Sequence, residues 1–201
     1  MYKCQILADK IYSLTDARYF SARYADILCF DLVPDMPLLN LLTHFNAIKE
    51  WVSGPEIYLK TNHISQESLE FLINEINPTG IVISFLDHYS FDKTSDLKII
   101  WEIMPEIEFN EISSFEPSQN DQVLIDFKSI PIEKIDISRS ILKKYSANHE
   151  LFVKNLDFEN TLQSLSAFTN IKGIAFNGSN ELNTGLKLFE DIDVFLDNLE
   201  Q

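Results

Sequence analysis

Two groups that can carry a proton stand at the ends of apolar stretches in this 201-residue chain: the phenol of Tyr12 and the carboxyl of Asp126. Asp126 closes the run Val123-Leu124-Ile125, and the C-terminal end of a buried strand is where parallel α/β proteins gather catalytic side chains. To act as an acid at neutral pH it would need a raised pKa; the structural alternative is an ion pair with Lys128, Lys60 or Lys154. Tyr12 precedes a short polar turn, Ser13 to Thr15, that runs into a helix, and such a junction opens the helix N-terminus and the strand end on one face. An unperturbed phenol titrates near about pH 10, so it is a poor base unless strongly shifted. The ordinary alternative is a partly buried ring with its hydroxyl hydrogen-bonded. Lys154 could hold a phosphate as a point charge, with Asn177 and the amides of Gly178 and Ser179 assisting; otherwise it is a salt-bridge partner. The four histidines, His44, His63, His88 and His149, lack ligand spacing, so no metal site is expected.

Composition narrows the partners. The net charge of −15 repels phosphate backbones and anionic lipid, so neither nucleic acid nor a membrane surface is an expected partner; acidity also simply keeps a protein soluble. No apolar run approaches the roughly 18 residues of a membrane span, and the N-terminal MYKCQILADKIY has no cleavable signal pattern, so a cytoplasmic location is expected. Cys29 falls inside a predicted strand and Cys4 at the edge of one, and both read as small buried residues in a reducing compartment. Hydrophobic residues make up 45% of the chain, with 15 Phe and 7 Tyr, enough apolar bulk for a real core.

The elements that must position these side chains alternate along the whole length. Strands are predicted at Gln5–Ser13, Asp26–Leu32, Glu56–Asn62, Gly80–Phe85, Leu97–Glu102, Gln122–Phe127, Glu150–Asn155 and Lys172–Asn177, all rich in Ile, Val, Leu, Phe and Tyr. Helices are predicted from Thr15 or Asp16 to Tyr24, from Pro37 to Trp51 with the proline in its first turn, and from a Ser65 cap to Ile76. Further helices run from an Asp157 cap through Phe168 and from Thr184 or Gly185 through Leu199, with mixed helical character over Ile130–Ser146. The connections around Asp87–Asp96 and Pro105–Asn120 hold at most a turn or two. Eight repeats without a linker predict an α/β protein with a single compact (β/α)8 TIM barrel over residues 1–201, its middle helices short or irregular. The rival open doubly wound sheet lacks its signatures: neither G-x-G-x-x-G nor G-x-x-x-x-G-K-S/T occurs, and no cofactor is expected.

Specific segments carry a family resemblance. Lys10-Ile11-Tyr12-Ser13-Leu14-Thr15 followed by Asp16-Ala17 resembles the K-I/V-C-G-L/I-T turn and D-A helix that open the phosphoribosylanthranilate isomerases, the (β/α)8 enzymes of tryptophan biosynthesis. Ala25-Asp26-Ile27-Leu28-Cys29-Phe30 is similar to that family's A-D-x-x-G-F strand, and Val123-Leu124-Ile125-Asp126 to its sixth strand. Leu156-Asp157-Phe158-Glu159-Asn160 resembles its L-S/T-P-E-N turn, and Gly173 to Lys187 its strand-eight segment. The resemblance implies an Amadori rearrangement, an aldose–ketose isomerisation, with a Cys base ending strand one and an Asp acid ending strand six. Here Tyr12 takes the Cys position and Asp126 the acid's.

The phosphate elements also depart from the family. Lys154-Asn155 replaces paired glycines after strand seven, and Asn177-Gly178-Ser179 replaces the S-S-G turn. Lys128-Ser129-Ile130-Pro131 replaces a glycine-rich stretch, and Val33-Pro34-Asp35 has no counterpart of the family's Arg. The expectation is a divergent barrel unable to carry out the standard isomerisation. It would keep a small-molecule or phosphate pocket at the strand C-termini, built from Lys154, Asn155, Asn177, Gly178 and Ser179. An active isomerase with a rearranged site and a non-catalytic scaffold are the alternatives. A phosphorylated small molecule is the expected ligand, and the protein a monomer or homodimer.

Overall fold

The structure is a computed structural model that describes residues 4–32, 36–61, 64–87, 97–104, 112, 114–128, 135–155, 170–178 and 189–199. Eight strands appear where short β-rich runs were predicted: β1 Gln5–Ile11, β2 Ile27–Leu32, β3 Glu56–Thr61, β4 Gly80–Ser84, β5 Lys98–Ile103, β6 Gln122–Asp126, β7 Leu151–Lys154 and β8 Ile171–Asn177. Each pairs in parallel with its sequence neighbours, and β1 pairs with β8, closing the barrel. Closure leaves no edge strand to template association.

Strand periodicity sorts the side chains into two cores. Leu7, Cys29, Tyr58, Val82, Ile100, Leu124, Phe152 and Ala175, one from each strand, form a cluster with Ile27 that fills the lumen. Tyr58 and Phe152 fit because Gly80 and Gly173 face them. A Cβ at Gly80 would lie 2.4 Å from Cε1 of Tyr58, and one at Gly173 2.7 Å from Cε1 of Phe152. The alternate residues, among them Ile6, Ala8, Leu28, Leu59, Ile81, Val123 and Val153, form the larger outer core with the helices.

Five helices are described: α1 Leu14–Ala22, α2 Leu38–Lys49, α3 Gln66–Ile76, α4 Ile135–Ser146 and α5 Glu190–Leu199. The predicted Ser65 cap of α3 is present, its Oγ accepting from the Ser68 amide at 3.3 Å, and Leu69, Leu72 and Ile76 form the buried face. Two boundaries differ from expectation. β1 stops at Ile11, and Ser13, not Thr15 or Asp16, caps α1: its Oγ accepts from the Asp16 amide at 3.2 Å and donates to Asp16 Oδ2 at 3.0 Å. This reciprocal pairing fixes the helix start one turn earlier than the polar run suggested. Pro37 sits at the cap of α2 in extended geometry, φ −54° and ψ 136°, and so leaves that helix end without a side-chain cap. The predicted helix over Phe158–Phe168, most of the connection around Asp87–Asp96, half of that around Pro105–Asn120, and the segments Val33-Pro34-Asp35 and Ser129-Ile130-Pro131 lie outside the described residues, as does Ser179.

Candidate functional site

Above the apolar layer of the lumen, the next inward positions of the odd strands are Asp9 on β1, Lys60 on β3, Glu102 on β5 and Lys154 on β7. Their charges alternate around the barrel, and each lysine touches both carboxylates. Lys60 Nζ lies 2.9 Å from Asp9 Oδ2 and 2.6 Å from Glu102 Oε1; Lys154 Nζ donates to Asp9 Oδ2 and lies 3.7 Å from Glu102 Oε1. All four side chains are at most 6% exposed. A buried charge survives only when paired and hydrogen-bonded, and here every member of the ring is. Burial alone would raise the Asp9 pKa, but the Lys60 and Lys154 ammoniums outweigh it and hold it at about 2. Burial likewise works against the charge on Lys60, yet Asp9 and Glu102 carry its pKa above the ordinary lysine value. Lys154 is raised in the same way, burial opposing and Asp9 the strongest support.

The even strands supply the rim: Asp31 ends β2's inward face, Ser84 ends β4, Asp126 ends β6 and Asn177 ends β8. Asp126 is buried, and donors meet both of its oxygens. The Lys128 amide at 2.9 Å and the Asn155 side-chain amide reach Oδ1, and Lys154 Nζ lies 3.3 Å from Oδ2. Of the three ion pairs considered for Asp126, Lys154 supplies the one that forms; Lys128 contributes its backbone, and Lys60 belongs to the ring. Asn155 holds a left-handed conformation, φ 59°, directly after β7, which turns its side chain back toward Asp126.

Two expectations are corrected. Lys154 does not stand at the mouth as a free point charge: its ammonium is 1% exposed among Asp9, Glu102 and Asp126, so it has no open face for phosphate. Tyr12 is 41% exposed and its hydroxyl donates to Asp31 Oδ2 at 2.6 Å. Burial of its inner edge and that hydrogen bond raise the phenol's pKa above its ordinary value, the wrong direction for a base. Lys10 lies in a bulge of β1 with φ 56°, and its backbone N–H donates to Asp9 Oδ1 at 2.9 Å.

The turn after β8 is altered as well. The Gly178 amide donates to the Asp9 carbonyl at 2.7 Å. A Cβ there would lie 2.5 Å from the Lys10 carbonyl and 3.2 Å from the carboxylate of Asp16. The amide expected to cradle an anion is therefore used by β1, with a buried carboxylate beside it. Asn177 Oδ1 is buried without a hydrogen-bond partner. It borders a recess of about 310 Å³ between β7, β8 and α5 that Asn155 and Asp191 also line.

Sequence reasoning missed Asp9, Lys60 and Glu102 as one constellation. The usable signal was a charge two residues beyond an inward apolar position near the C-terminal end of each odd strand: Asp9 in QILADKI, Lys60 in EIYLKT, Glu102 in KIIWEI and Lys154 in LFVK. Both cysteines are free, and burial, the largest cause in each case, raises the Cys4 pKa to about 11 and lifts that of Cys29 well above its ordinary value. Among the described residues no group of three or more His, Cys, Asp or Glu is placed to hold a metal ion, and no helix is long and apolar enough to cross a membrane.

Comparison with solved structures places this barrel beside phosphoribosylanthranilate isomerases. One in complex with reduced 1-(o-carboxyphenylamino)-1-deoxyribulose 5-phosphate matches with a TM-score of 0.71 at 12% identity over 98% of each chain. The enzyme from Thermotoga maritima matches at 0.69 and 13% identity, again over 98% of each chain. That from Thermus thermophilus matches at 0.67 and 17% identity with the same coverage. No family model and no curated protein matches the chain. At such identities the likeness is one of fold, on which many chemistries are built: the chain has the closed eight-stranded barrel of the phosphoribosylanthranilate isomerases.

Proposed function

We propose that this chain is a divergent barrel of the phosphoribosylanthranilate isomerase type that does not carry out the standard Amadori isomerisation and keeps a small-molecule pocket at the strand C-termini. The observation that carries the reading is the hydrogen bond from Tyr12 to Asp31. A phenol that donates its proton to a carboxylate, with its pKa raised, cannot accept one from a substrate carbon. Asp126, which the resemblance likens to the family's acid, already has donors at both of its oxygens: the Lys128 amide and the Asn155 side chain at Oδ1 and Lys154 at Oδ2.

The charge balance of the mouth speaks to the ligand. Lys60 and Lys154, the cations of the ring, are both already paired with Asp9 and Glu102, and Lys154 with Asp126 as well, so neither holds its charge free for a phosphate group. The recess beside Asn155 and the unpartnered oxygen of Asn177 suits an uncharged ligand that brings N–H or O–H donors. The test is genetic. A tryptophan auxotroph lacking the isomerase is expected to stay unable to grow without tryptophan when it expresses this chain. Growth that disappears on Asp126→Asn would overturn the proposal in favour of an active isomerase. A scaffold without any ligand is the second reading, favoured by the closed ring that fills the upper lumen.

A further inference from the structure

The opposite end of the barrel differs from the mouth in one physical respect: its charges are open to solvent. A cavity of about 470 Å³ lies at the N-terminal ends of the strands, lined by Gln5, Tyr24, Glu56, Lys98, Gln122 and Lys172 among others. Lys98 Nζ contacts both oxygens of Glu56, at 2.7 and 3.0 Å, with the two side chains 54% and 43% exposed. Lys172 pairs with Glu150 at 2.5 Å, and Gln122 Nε2 donates to the same Glu150 oxygen at 2.7 Å. The remaining oxygens of Gln5 and Gln122 are buried with no hydrogen-bond partner. An orphaned amide oxygen is costly, and rotation of either amide toward the cavity would let a ligand's donor satisfy it.

Tyr24 on the lip adds an independent anomaly. The amide of Tyr24 donates to the Ser21 carbonyl and that of Ala25 to the Phe20 carbonyl, the paired bonds that end a helix through a left-handed residue. Tyr24 is that residue, with φ 56°, a position suited to glycine and disfavoured for a bulky side chain. Its ring is 81% exposed, so the fold gains no burial from it. Strain kept without a packing return points to a use of the ring itself.

We propose that this N-terminal cavity binds a neutral polyhydroxylated ligand of sugar-ring size, stacked on Tyr24. The ion pairs choose the class. A charged ligand would compete with partners already at 2.5 to 3.0 Å, whereas hydroxyls, each both donor and acceptor, can bridge the lining groups of Glu56, Lys98 and Lys172 without breaking a pair. The tyrosine face receives the C–H side of a ring, and a few hundred cubic ångströms is the ordinary size of a small-molecule site. The site is independent of the reading of the mouth.

Amide-resolved NMR titrations of the intact chain test it, with D-glucose, D-ribose and myo-inositol as polyol probes and L-glutamine and inorganic phosphate as charged ones. At least one polyol is expected to shift the signals of Tyr24 and of Gly54 to Glu56, and Tyr24→Gly to weaken that binding by about tenfold or more. The variant is also expected to melt about 2–4 °C higher, which shows that the loss is not unfolding. No shift with any polyol, an unchanged affinity in Tyr24→Gly, or binding confined to glutamine or phosphate would each overturn the proposal.

Discussion

Lys60 and Lys154 are the residues on which the upper lumen turns. Lys60 holds two buried carboxylates and Lys154 three, so truncating either leaves buried negative charge short of a partner. Lys60→Met is expected to cost about 3–5 kcal/mol of stability, read from urea unfolding. The double variant Lys60→Met with Glu102→Leu is expected to cost less than the sum of the singles, because a positive and a negative charge leave together. Additive costs would mean that the ring members act singly. Tyr12 shows at the same scale why a residue type alone misleads: whether a phenol gives or takes a proton depends on Asp31, a neighbour that is 19 residues away in sequence.

At the scale of the element, the strands were legible and the junctions only partly so. Eight short runs of Ile, Val, Leu and Phe announced eight strands, because strands covered on both faces are apolar over most of their length. Helix α3 was read correctly at both ends, since Ser65 has an oxygen to offer the first turn and the apolar spacing of Leu69, Leu72 and Ile76 is strict. Ser65→Ala is expected to lower stability by about 1 kcal/mol, and an unchanged thermal midpoint would show that water caps the helix equally well. The bulge at Lys10 was not legible. A lysine is not a residue that announces a left-handed backbone, and the cause is the Asp9 carboxylate accepting the Lys10 amide. The charge ring escaped for a related reason: its bonds join positions from 42 to 145 residues apart, and only barrel closure makes them neighbours.

For the whole molecule, the ring ties stability to pH on both sides. The folded Asp9 pKa, about 2, lies below its ordinary 3.8, so its contribution is complete above the ordinary value and is lost as pH falls toward 2. Lys60 and Lys154 are raised, so their contribution is complete below the ordinary 10.5 and is lost as pH rises through their higher folded values. Between about pH 4 and pH 10 the ring is expected to contribute a constant amount, measured by chemical unfolding across that range. Acidification also discharges a chain of net −15 and relieves its self-repulsion. The ring's own share therefore emerges by comparison with Asp9→Asn, whose acid limb is expected to be shallower.

The four-membered circuit also constrains how such a barrel changes over generations. Neutralising any one member leaves an excess buried charge, so a lineage that alters the mouth is expected to exchange the residues in pairs or pass through a less stable ancestor.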